Sequence, residues 1–177
     1  VKGYLDMVSV LAEFPGIRVN FNLTPVLLLQ IEELVRGDSR DLWLEWSRKS
    51  AAELHENERL ALLEHFFKIQ HENLLHPHPR YAELFAKRGP GFYRDKARSE
   101  LRHWSAEDFR DLQVWFNLAW CGYTAERLYP ELRELKAKGR HFTEGEKSRL
   151  LNIHMEILAR IIPLYAEAER RGQAELT

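Results

Sequence analysis

The chain has 177 residues, 45% of them hydrophobic, which is enough for one domain with its own core. Its 26 basic and 27 acidic side chains leave a formal net charge of -1, so no global field draws it to nucleic acid or to an anionic membrane. The single cysteine, Cys121, excludes an internal disulfide and a thiolate zinc site, and no run approaches the roughly 20 apolar residues of a membrane span. The expectation is a cytoplasmic chain without a membrane or nucleic-acid partner.

In chain order, the apolar residues between Tyr4 and Phe14 predict a short amphipathic helix that Pro15-Gly16 stops. Ile17, Val19 and Phe21 then alternate with Arg18, Asn20 and Asn22, the period of a strand, and Thr24-Pro25 opens the next helix. That helix, about 25–35, is apolar over most of its girth and ends at Gly37-Asp38. Ser50 with Glu53, Thr143 with Glu146 and, more weakly, Ser105 with Asp108 have the spacing of capping boxes. Longer helices are expected over about 56–75, 106–121 and 144–171, and shorter ones near 39–48, 79–88, 93–103 and 125–138. After Gly172, residues 173–177 read as the start of a second strand, and Val1 as well as this strand look like cut ends. The fold class is therefore mainly α: a multi-helix segment with one or two short parallel strands. Such a plan suits a slice of a larger β/α barrel better than a free-standing domain, because an isolated parallel pair has exposed edges. A slice of this kind is expected to dimerise or swap segments through those edges.

Candidate chemistry is sparse. His71-Glu72-Asn73-Leu74-Leu75-His76 approaches the H-E-x-x-H spacing of zinc proteases. Five residues along an α-helix, however, turn the second histidine about 140° from the first, so no metal site is expected there. His154 lies on the stripe of Leu150, Ile157 and Ile161 and reads as a semi-buried core histidine, and Cys121 reads as a small buried hydrophobe. No catalytic residue stands out, and the acidic residues share helix faces with Lys and Arg as a solvated surface would. Trp115, Asn117 and Trp120 lie in a segment apolar nearly all round. They either pack a core or turn an indole and an amide toward a sugar cleft. Asn22 closes the first strand, where it either caps the turn into the next helix or stands at the rim of a site.

Three stretches carry a family resemblance. The first runs from Asp6 to Leu11 and on through Phe14-Pro15-Gly16-Ile17-Arg18-Val19-Asn20-Phe21-Asn22-Leu23-Thr24-Pro25-Val26-Leu27-Leu28. The second is Asp111 to Trp120, and the third is Ile157 to Tyr165 with Arg171 to Thr177. In this order they resemble glycoside hydrolases of family 57, the α-amylase and α-mannosidase-like group. The resemblance implies a parent with an incomplete (β/α)7 barrel that acts on an α-glucan or maltooligosaccharide with retention, without a cofactor or metal. It also implies that the His-Gln-Pro motif precedes Val1 and that the glutamate nucleophile and aspartate acid/base follow Thr177. No catalytic residue is thereby transferred to this chain, which is expected to be inactive alone. Asn22, Trp115, Asn117 and Trp120 remain as candidates for substrate contact, and a free-standing helical interaction module is the rival reading.

Overall fold

The computed structural model describes Lys2–Thr177. It is mainly helical, with two short strands that pair in parallel. The elements are α1 (Lys2–Leu11), β1 (Val19–Phe21), α2 (Pro25–Arg36), α3 (Leu42–Arg48), α4 (Glu56–His65), α5 (Pro79–Arg88), α6 (Arg94–Glu100), α7 (Ala106–Leu118), α8 (Tyr123–Leu128), α9 (Glu131–Lys138), α10 (Glu144–Arg170) and β2 (Ala174–Leu176). They form two compact units. One contains Val1–Asp41, Cys121–Pro130 and Asn152–Thr177; the other contains Leu42–Trp120 and Glu131–Leu151.

In the first unit, Val8 and Leu11 of α1, Ile31 of α2, and Ile161, Tyr165 and Ala168 of α10 enclose one apolar core against the sheet. Two left-handed glycines end the long helices that feed it. At Gly37 (φ 81°), Asp38 N–H reaches Glu33 O at 2.8 Å and Gly37 N–H reaches Leu34 O; at Gly172 (φ 69°), Gln173 N–H reaches Ala168 O at 3.0 Å. Both are Schellman closures, which satisfy carbonyls that the helix leaves open and which favour a residue without Cβ. Gln173 is itself buried, and its side-chain amide donates to Leu11 O and Phe14 O, so the chain entering β2 closes the last turn of α1.

In the second unit, α7 is the central element, with every residue from Asp108 to Leu118 buried except Arg110. Its start is a reciprocal capping box. Asp108 N–H donates to Ser105 Oγ (3.1 Å), and Asp108 Oδ2 accepts from Ser105 N–H (2.8 Å). The same device opens α10, where Glu146 N–H donates to Thr143 Oγ1 (3.1 Å) and Thr143 N–H to Glu146 Oε2 (2.7 Å). Between α5 and α7 the buried Arg80 guanidinium divides itself between Asp111 Oδ2 and Asp108 Oδ1, each at 2.8 Å.

Three local expectations change. Ser50 makes no side-chain cap bond and leads only a 3-10 turn, Ala51–Glu53; the box nearby is closed instead by Glu58 onto His55 N–H at 2.8 Å. The helix expected over 125–138 is two helices, α8 and α9, because Pro130 cannot continue an i→i−4 ladder. The helix expected over 56–75 ends at His65, and residues His71–Leu75 wind as a separate π turn, in which His76 N–H donates to His71 O at 2.8 Å.

Candidate functional site

β1 and β2 pair with Val19 opposite Ala174, Asn20 opposite Glu175 and Phe21 opposite Leu176. Bonds from Val19 N–H to Gln173 O, Thr177 N–H to Phe21 O and Leu23 N–H to Thr177 O extend the ladder by a residue at each end. Strand side chains alternate between faces. Val19, Phe21, Ala174 and Leu176 pack on the apolar core, where the Phe21 ring meets Tyr165 edge-on at 5.0 Å. Asn20, Asn22 and Glu175 are exposed, and the Thr177 hydroxyl donates to Asn20 Oδ1 at 3.1 Å. The outward face is thus a row of amide, hydroxyl and carboxylate groups that runs from the middle of both strands to just past their carboxyl ends.

That row can donate and accept hydrogen bonds in quick succession, which suits a ligand rich in hydroxyl groups. It contains no activated nucleophile. Beside it, an apolar groove of about 610 Å³ runs between α1 and β1, lined by Met7, Val10, Phe14, Ile17, Val19 and Phe21. Met7, Val10, Phe14 and Ile17 are all exposed there. Because Val19 and Leu23 donate to the β2 side, the main-chain N–H and C=O of Asn20 lie on the other edge of β1.

Of the four residues singled out from the sequence, Asn22 and Trp120 reach solvent, whereas Trp115 and Asn117 lie inside the second unit. Trp115 is 1% exposed, its indole N–H donates to Gly139 O at 2.8 Å, and His78 stacks on it at 4.4 Å. The Asn117 amide donates to Ser47 Oγ and to Gln113 O, each at 2.8 Å. Trp120 is 40% exposed in the turn after α7. Asn22 is exposed one residue past the end of β1. Asn20, Glu175 and Thr177 were not singled out from the sequence; the alternation around Asn20 was visible there, but their juxtaposition depends on a pairing between distant segments.

The remaining candidates have local partners. Cys121 is buried, with Sγ 3.2 Å from His154 Nε2. His71 Nε2 lies 2.9 Å from Phe67 O, and its ring packs 4.6 Å from that of Phe85. Among the described residues no helix is long and apolar enough to cross a membrane. The sequence matches no model of a known protein family, no curated protein and no solved structure.

Proposed function

We propose that this chain is a wall segment of an α-glucan-active glycoside hydrolase or glucanotransferase of the family 57 type, a slice of an incomplete (β/α)7 barrel. The sequence stretches that resemble that family are the ground for the choice. The observation that carries it is the polar row of Asn20 and Glu175 at mid-strand with Asn22 and Thr177 just past the carboxyl ends of two parallel strands, the end at which β/α barrels bind their substrates. Amides, a hydroxyl and a carboxylate are the groups that exchange hydrogen bonds with sugar hydroxyls. A parallel pair of three residues per strand, with an apolar groove along its open side, also fits a sheet that continues into further strands. In this reading the segment supplies walls and substrate contacts, while the nucleophile and the acid/base lie elsewhere in the parent, so the chain alone releases no sugar from starch.

Amide NMR spectra of the chain titrated with maltoheptaose to millimolar concentration test the reading. Shifts confined to Asn20, Asn22, Glu175 and Thr177, and lost in Asn20→Ala, are expected; an unchanged spectrum at saturation overturns it. The apolar groove favours a second reading, a helical module that seats an apolar segment of another protein. Under that reading, maltoheptaose leaves the strand pair untouched.

A further inference from the structure

The π turn changes what the two histidines at its ends can do. Along an α-helix, residues five apart point in different directions, and that geometry argues against a shared ligand for His71 and His76. Here the i→i+5 bond from His76 N–H to His71 O, 2.8 Å long, sets one residue above the other. Their ring centroids are 6.1 Å apart, with the planes at 79°. A metal–nitrogen bond of about 2.0–2.1 Å puts each imidazole centroid about 3 Å from a bound ion, so two rings sharing one ion at a tetrahedral or right-angled position lie about 4.5 to 5.5 Å apart. The observed 6.1 Å is wider than that span by less than about 2 Å, a difference that a side-chain rotation of the exposed His76 can take up.

The second observation is the partner of His71. Its Nε2 lies 2.9 Å from Phe67 O, a carbonyl that can only accept, so Nε2 is the donating nitrogen and Nδ1 is the one left to face a ligand. Histidines that bind metals commonly donate their other ring N–H to a carbonyl or carboxylate in this manner, which holds the ring and raises its basicity. His76 is exposed and can turn a ring nitrogen toward the same point. The Phe85 ring, 4.6 Å from His71 and 6.5 Å from His76, forms an apolar wall beside the pair.

We infer that His71 and His76 form a two-histidine binding site for a divalent first-row transition metal ion, with His71 ligating through Nδ1 and water completing the coordination. Imidazole nitrogen suits zinc, nickel and copper rather than magnesium or calcium. With only two protein ligands the site keeps open positions, so its ion exchanges readily and is available to a further donor. The inference is independent of the glucan reading, since it concerns the other unit and needs no sugar.

The test is a titration of the metal-free chain with Zn²⁺, followed through the ring nitrogen resonances of all eight histidines. One equivalent is expected to shift His71 Nδ1 and one nitrogen of His76, leaving His71 Nε2 protonated, and EDTA is expected to reverse the change. His76→Ala, at an exposed position, is expected to keep the metal-free melting temperature while weakening Zn²⁺ binding roughly ten-fold or more; His103→Ala is expected to leave both unchanged. Resonances of His71 and His76 that stay in place at millimolar Zn²⁺, or equal affinity in His76→Ala, overturn the site.

Discussion

Lys147 and Gln113 meet in the interior of the second unit, the ammonium donating to the side-chain carbonyl at 2.9 Å while the Gln113 amide donates to Trp46 O and Lys49 O. Lys147, 1% exposed, also donates to Lys49 O at 2.6 Å and pairs with Glu144 at 2.7 Å. Burial lowers its pKa, and the contact with Glu144 only partly opposes this. One charged group thus ties α7 and α10 to the end of α3. Replacing Lys147 with Ala removes the donor to Gln113 Oε1 and one of the two donors to Lys49 O and opens a void, and it is expected to cost about 3 kcal/mol in urea unfolding. Lys147→Met, which keeps the stem, is expected to cost clearly less.

Asp108 both caps α7 and pairs with Arg80 and Lys87. Burial pushes its carboxyl pKa up, but bonds from Lys87, Ser105 and Arg80 outweigh this, and the net shift is downward. A depressed carboxyl stabilises the fold above its unfolded value of about 3.9 and loses that contribution as pH falls through the lower folded value. Asp108→Asn is therefore expected to cost roughly 3 kcal/mol at pH 7, with a difference from the unaltered chain that shrinks on acidification below about pH 4. Urea midpoints from pH 7 to pH 2 measure that difference. The comparison with the variant is needed because Glu58, Glu144 and Glu146 are shifted in the same direction.

Trp115 and Trp120 separate core from surface on the same segment. Trp115→Phe loses the bond to Gly139 O and leaves unfilled volume, with an expected cost of about 1–3 kcal/mol by thermal unfolding. Trp120→Ala, at an exposed turn, is expected to stay within about 1 kcal/mol.

The features legible in the sequence are those set by near neighbours. Gly37 and Gly172 stop helices because the left-handed residue and the carbonyls it closes lie within one turn, and the boxes at Ser105 and Thr143 are equally local. The break after His65 is different. Phe66 and Phe67 continue the apolar pattern without Pro or Gly, yet the Phe66 carbonyl is taken by the Tyr81 hydroxyl, a partner from α5 that no window around residue 66 contains. The same reason hides the polar row. Asn20 and Asn22 share a face by strand period alone, but Glu175 and Thr177 join them only through the parallel pairing. Within the apolar segment 112–120, periodicity could not tell that Trp115 would be enclosed and Trp120 exposed, since apolar residues surround both in the sequence.

The bond between Asn20 and Thr177 spans 157 positions of sequence. Bringing such distant points together costs about 4–5 kcal/mol of chain entropy when the intervening segment is loose, and much less once that segment has collapsed. The strand pair is therefore expected to form late on the way to the native state, after the helices that lie between its strands in sequence. It is also the place where slow hydrogen exchange, if measured amide by amide, reports whether the rest of the chain is already in order.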